Sequence, residues 1–320
     1  MFMSALSADS NVSAGSVHAR IEQLLVYPVK SCAGVLLPEA VLTAAGLEFD
    51  RAWMLVDQNG EFVSQRELPR MALVQPQLKH NELVLRAPGM LALHVALDAV
   101  EQPAPVQLWG ERLDAWDMGA LCAQWFSDFL LADKSADSAA ARSGITHLRM
   151  VRFDPDCSRL SDKKWTGGAD AENQFNDGFA LLVLSQASLA QLNDKLQAAG
   201  HASVEMARFR PNIVLSGLQA HEEDQLDVLR LLHTQTDAAS ADASADVALR
   251  LVKPCPRCPI PNINPVTASS SPEVGDTLQS YRQNPQQNGA VCFGMNAIVQ
   301  AGDGALLRVG QVLAADHRFG

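Results

Sequence analysis

Short apolar runs alternate with turn residues along the first third of the chain. Runs at 21–29, 35–42, 52–56, 73–78, 82–86, 91–95 and 106–109 are each too short for a typical helix, and Gly, Pro and Asn separate them, most plainly at Gln58-Asn59-Gly60. Short, evenly spaced strands of this kind predict a β-barrel or sandwich. The period changes at 119–131, where Leu121, Cys122, Trp125, Phe126 and Phe129 recur at helical spacing. A second helix is predicted over 186–199, with Ser185 as its N-cap and Gly200 at its end. Beyond it, apolar runs at 213–215, 247–252, 296–300 and 306–309 predict a second unit dominated by strands. The fold class is therefore mainly β with α, a β-barrel-like first domain followed by a second β-rich domain with flanking helices.

Composition sets the boundaries. Residues 1–18 are small and polar and read as a disordered tail, and 133–144, rich in Ala, Ser and Asp, read as a linker. The two domains are thus expected at 19–132 and 145–320, with 234–246 a low-complexity surface loop in the second. No apolar run approaches the roughly 20 residues that span a bilayer, and a net charge of -11 excludes a nucleic-acid polymer or an anionic membrane as the main partner. Six cysteines scattered over 320 residues, without a signal peptide, predict free thiols in a reducing compartment, hence a cytoplasmic protein.

Four segments carry candidate chemistry. In Pro254-Cys255-Pro256-Arg257-Cys258-Pro259-Ile260-Pro261, prolines bar a regular helix and present Cys258 beside Arg257 on an ordered loop after the run at 247–252. The pair alone is compatible with half a zinc site, a redox couple or an inert structural loop; zinc needs two more ligands, and a thioredoxin-like pair needs a helix N-terminus. Arg208-Phe209-Arg210-Pro211-Asn212 offers guanidinium forks suited to phosphate, against the plainer reading of a solvated edge. Tyr27-Pro28-Val29-Lys30-Ser31-Cys32-Ala33-Gly34 presents an amine and a hydroxyl before a glycine turn, and Asp50-Arg51-Ala52-Trp53 sets an Arg beside a Trp.

Taken in order, these segments, with Gln124-Trp125-Phe126-Ser127 and Leu184-Ser185-Gln186-Ala187-Ser188-Leu189, resemble the MOSC-domain molybdenum enzymes with an N-terminal MOSC-type barrel. That is the family of the mitochondrial amidoxime reducing component and bacterial N-hydroxylated-base reductases. The resemblance implies a MOSC β-barrel as the second domain and a molybdenum cofactor, molybdenum bound by molybdopterin. It implies Cys258 as the catalytic metal ligand and Lys30, Ser31, Arg51, Ser185, Arg210, Asn212 and Arg257 as cofactor-binding residues, with Arg257 favouring the Cys258 thiolate. The implied activity is reduction of small N-hydroxylated substrates such as hydroxylamines, amidoximes and N-hydroxy bases. Electrons would come from a separate flavin or haem reductase, since a fused iron–sulfur domain and an N-terminal anchor are not expected. The alternative is a sulfur-carrier or cofactor-transfer protein with Cys258 as its persulfide site. The chain departs from many relatives at Asn264, where they carry a carboxylate, and at Ala268, where they carry glycine. Substrate-lining residues are expected in the loops at 154–177 and 259–271.

Overall fold

In the computed structural model, which describes residues 17–133, 135, 137–232 and 246–318, the first strand begins before its apolar run, at Val17–Val26. Residues 17 and 18, placed in the expected tail, are therefore strand; the rest of that tail and nearly all of the expected loop at 234–246 lie outside the described residues. Val17–Val26 pairs with Ile213–Ser216 on one side and Val312–His317 on the other. Seven strands close into a barrel in the order Leu181–Ser185, Ile213–Ser216, Val17–Val26, Val312–His317, Leu226–Leu231, Ala248–Pro256 and Ala290–Ala301, which pairs back to Leu181–Ser185. Closure leaves no free sheet edge among these strands. Ile21, Leu24, Val183, Leu215, Leu229, Leu249, Leu251, Met295 and Leu313 are fully buried in one cluster, and each stabilises the fold by roughly 1.5–3 kcal/mol relative to exposure.

A second body of strands packs beside the barrel. Trp53–Val56, Arg149–Phe153, Ala115–Asp117 and Gln102–Pro103 form a four-stranded sheet, and Gln75–Leu78, Glu82–Arg86 and Leu93–Ala96 a three-stranded one. The predicted helix, observed as Ala120–Leu130, buries Cys122, Trp125, Phe126 and Phe129 against Trp53, Leu55, Leu83, Leu85 and Met150. The halves of the sequence interlock. Val17–Val26 belongs to the barrel built otherwise from residues beyond 180, Trp53–Val56 pairs with Arg149–Phe153, and Glu39–Thr43 pairs with Leu306–Arg308. The expected linker is also structured: Ala139–Ser143 is a short helix whose N-cap Ser138 accepts from Ala141 N, with Gly144 left-handed at its end and Ala140 buried. Its serines read as linker composition, but one caps and Gly144 terminates.

The apolar run at 247–252 is part of a longer strand, Ala248–Pro256, which therefore carries Cys255. Its pairing with Ala290–Ala301 shifts register between Leu251 and Lys253 and again between Pro254 and Pro256. Such irregularities are where a strand tolerates residues without an N–H. Cys258 follows two residues beyond the strand end.

Asn212 joins three barrel strands. Its backbone donates to Leu182 O and accepts from Leu25 N, both at 2.8 Å, while its side chain accepts from Leu182 N at 3.1 Å and donates to Leu25 O at 3.2 Å. Asn212→Ala removes the side-chain partners of buried backbone groups, so it is expected to lower stability by about 2–4 kcal/mol, read as a fall in the urea midpoint at unchanged m-value.

Candidate functional site

The cleft between the barrel and the second body is assembled from chain turns that few residues adopt. After the first strand, Trp53 N donates to Pro28 O at 3.0 Å and Lys30 N to Trp53 O at 2.7 Å, which lays 28–30 alongside Trp53 before the chain turns at Ser31. Ser31, Arg51 and Arg210 have φ of 68°, 52° and 58°. All three are non-glycine residues in left-handed backbone, a strain that persists only where surroundings over-determine it. Lys30 is 6% exposed and donates from Nζ to Phe175 O at 2.7 Å and Asp177 Oδ1 at 2.5 Å. Burial lowers the Lys30 amine from its usual value against the upward pull of Asp177. Burial acts to raise the Asp177 carboxyl, but Lys30 outweighs it and holds the group well below the carboxylate range, although the side chain is 72% exposed.

Behind this pair lies a network around Asp50, which is 2% exposed. Asp50 Oδ1 accepts from Tyr27 N at 2.8 Å and from Arg51 Nη1 at 2.7 Å; Oδ2 accepts from Arg51 Nη1 at 2.6 Å and from Asn176 Nδ2 at 3.1 Å. Arg51 also donates to Asn212 Oδ1 at 3.2 Å and Arg210 O at 3.1 Å. The guanidinium groups of Arg51 and Arg210 lie 4.3 and 4.2 Å from the centre of the buried Tyr27 ring, as cation–π attraction favours. Burial pushes the Tyr27 hydroxyl up to about 12, with both arginines opposing, and brings Arg210 down to about 10, assisted by Arg51. Gly34 is required here, because a Cβ would stand 2.6 Å from Tyr27 Cε1.

The third wall is the cysteine segment. Arg257 N donates to Val291 O at 2.8 Å and Nη2 to Phe209 O at 2.9 Å, fixing the guanidinium, whose Nη1 reaches Cys255 Sγ at 3.2 Å. Arg257 thus engages the Cys255 thiol, a contact that the sequence did not predict. Cys255 sits on the strand beside the guanidinium, while Cys258 has passed the strand end. Both thiols are half-buried and line the cleft.

Lys30, Ser31, Arg51, Arg210, Asn212, Arg257 and Cys258 all line this one cleft, which opens to solvent. Ser185 does not line it. Its hydroxyl caps the helix Gln186–Ala198 by accepting from Ser188 N at 3.1 Å, and its own N–H donates to Glu223 Oε1 at 3.2 Å in a fully buried setting. A cofactor contact at Ser185 is therefore withdrawn in favour of the cap. Phe62, Ser64, Arg66, Asn176, Asp177 and Phe179 also line the cleft and were not expected individually. Only Asn176 and Asp177 lie in a loop, 154–177, expected to line it; Ile260 is the contribution of the loop at 259–271. The lining carries five cations, Lys30, Arg51, Arg66, Arg210 and Arg257, and one carboxylate, Asp177. Arg210 Nη2 and Arg257 Nε are buried without a partner. An anion is what such a wall lacks, and two thiols offer soft ligands.

In the loop at 259–271, Asn264 Oδ1 accepts from Val266 N at 2.8 Å and Thr267 N at 3.3 Å, closing a turn, and Ala268 has φ 58°. Ala268 thus occupies a conformation that suits glycine.

Two family models match the chain, the MOSC N-terminal beta barrel domain over residues 18–133 and the MOSC domain over 170–314. The chain is 32% identical to mitochondrial amidoxime reducing component 2 of Rattus norvegicus over 82% of its own length and 72% of that protein's. It is 31% identical to mitochondrial amidoxime-reducing component 1 of Homo sapiens over the same shares, and 26% identical to that of Danio rerio over 86% and 78%. It is a MOSC-domain protein with an N-terminal MOSC barrel. Within that class, the chain belongs to the family of the amidoxime reducing components.

Two substitutions separate cap from site and strain from chemistry. Ser185→Ala is expected to cost about 1 kcal/mol of stability and to leave cofactor content at the wild-type level, as read by thermal melting and metal analysis. Ala268→Gly is expected to add about 0.5–1 kcal/mol, the relief of left-handed strain less the added backbone entropy, as read by chemical denaturation.

Proposed function

We propose that the protein is a molybdenum-cofactor-dependent reductase of N-hydroxylated compounds, supplied with electrons by a separate flavin or haem reductase. The observation that carries the reading is the concentration of five cations, two of them with unpartnered buried N–H groups, and two thiols in one cleft of a chain with net charge -11. The names of its relatives supply the reaction class: amidoxime reduction.

Arg51, Arg210 and Arg257 would hold the cofactor's phosphate and pterin, joined by the Ser31 hydroxyl and the remaining Lys30 N–H, and Cys258 would ligate the metal. Each guanidinium is fixed by backbone or carboxylate contacts, so the cleft is arranged before the anion arrives and little ordering is lost on binding. Asn212 acts through Arg51 by accepting its Nη1 and by locking the strands beneath it. When bound, molybdenum would supply the two-electron redox chemistry that the reduction needs. The net change consumes two electrons and two protons and yields the N–H compound and water. Proton delivery falls within reach of the Lys30 amine, a cleft donor kept hydrogen-bonded by Asp177. The cytoplasm is the proposed location.

Metal analysis tests this reading. Wild-type protein from a host that makes the cofactor should carry about one molybdenum per chain, Cys258→Ala should lose the metal or change its spectrum, and Cys255→Ala should retain it with altered affinity. A labile sulfur adduct on Cys258 with no molybdenum would instead support the sulfur-carrier reading.

A further inference from the structure

Two tryptophans adjoin the cleft without lining it. Trp109 stands at the tip of the two-residue hairpin turn between Val106–Leu108 and Glu111–Leu113, with φ 57° followed by Gly110 at 81°. A turn with both central residues left-handed favours Asn-Gly, so Trp109 is strained there, and it is still 49% exposed. Strain of this kind clusters at functional positions. The Trp109 ring lies 4.6 Å from the Phe62 ring, and Arg66 Cζ lies 4.6 Å from the Trp109 ring centre; Phe62 and Arg66 both line the cleft. Trp165, on the short helix Lys163–Thr166, repeats the arrangement. Lys253 Nζ lies 4.9 Å and Lys164 Nζ 5.5 Å from its ring centre, and Lys253 Nζ is also 5.8 Å from the centre of Phe179, another lining residue.

The carboxylates beside these cations are already engaged: Asp162 by the Lys164 N–H, Asp170 by Lys163, Asp177 by Lys30 and Glu111 by Arg159. Lys164 and Lys253 form no ion pair with a described residue. The uncompensated charge next to the cleft is therefore positive, in a chain whose net charge is -11. Exposed Trp with Arg is the make-up of an interface centre, and a local patch opposite in sign to the whole chain orients a partner of complementary charge. We infer that this rim, Trp109 with Arg66 and Trp165 with Lys164 and Lys253, is where the electron-donating protein docks, and that the donor presents carboxylates around its redox centre. The inference rests on the function proposed above, in which electrons come from a separate protein. Electron transfer weakens steeply with distance, so the donor must seat at the cleft rather than elsewhere on the surface. Weak redox encounters bury less than about 1,200 Å², and a rim of this size suffices.

The test compares wild-type holoprotein with Trp109→Asn, which suits the left-handed turn, and with the double variant Lys164→Glu/Lys253→Glu. Benzamidoxime reduction is driven either by reduced methyl viologen, a small donor that needs no docking surface, or by reduced flavodoxin, an acidic flavoprotein used as the probe. Viologen-driven rates should stay within about twofold of wild type. With flavodoxin, kcat/KM for the donor should fall about tenfold or more in both variants; the loss in the double variant should shrink as salt is raised, and the loss in Trp109→Asn should persist. Unchanged flavodoxin kinetics in both variants overturns the inference, as does wild type that neither binds flavodoxin nor takes electrons from it. An equal fall in the viologen-driven rate overturns it in favour of a rim that serves the substrate, and a wild-type dimer that both variants convert to monomer overturns it in favour of a second copy of this chain. If wild type reduces no benzamidoxime with viologen yet binds flavodoxin in a salt-sensitive way that both variants lose, the docking surface stands and the proposed reaction falls.

Discussion

The buried Asp50 carboxylate is the interaction on which the rest of the cleft depends. A carboxylate taken out of water is costly unless both oxygens are well paired, and here they are met by a backbone N–H, a guanidinium and an amide. Those partners come from the end of the first barrel strand, from the turn at Arg51 and from the loop before Leu181–Ser185. Meeting the needs of one charge therefore fixes three segments that are distant in sequence. Arg51, so held, reaches Asn212 and the Arg210 carbonyl, and Arg210 in turn reaches Cys32 O at 2.6 Å. The left-handed backbone at Arg51 and Arg210 is the local cost of that arrangement.

Charge distribution explains how an acidic protein can have a cationic cleft. Acidic groups predominate over the chain as a whole, whereas the cleft gathers five cations with low exposure at Lys30 and Arg51. Low-dielectric walls strengthen each interaction relative to the surface. The field sensed by a ligand is that of the cleft, not the net charge.

Much of this was legible in the sequence because it depended on local pattern. The helix Gln186–Ala198 follows from Ser185 as cap, and Glu82–Arg86 coincides with its apolar run. Lys30, Arg51, Arg210 and Cys258 came from turn-rich segments with unusual residue pairings. What escaped was long-range or fully buried. Leu181–Ser185 is buried at every position and shows no alternation, so its run could not be told from the start of a helix. Asp177 has no local signal, since its partner Lys30 lies 147 residues away. Ser185 was assigned the cap by pattern and a cofactor contact by resemblance, and only burial separates them. The interlocking of Val17–Val26 with the last strands is topological, and no boundary composition records it.

Anomalous X-ray diffraction at the molybdenum edge, from crystals of holoprotein, tests the central claim most directly. The account predicts one peak at bonding distance from Cys258 Sγ, inside the cleft bounded by Arg51, Arg210 and Arg257. Protein that contains molybdenum by chemical analysis but shows its peak on Cys255, or away from this cleft, would contradict it.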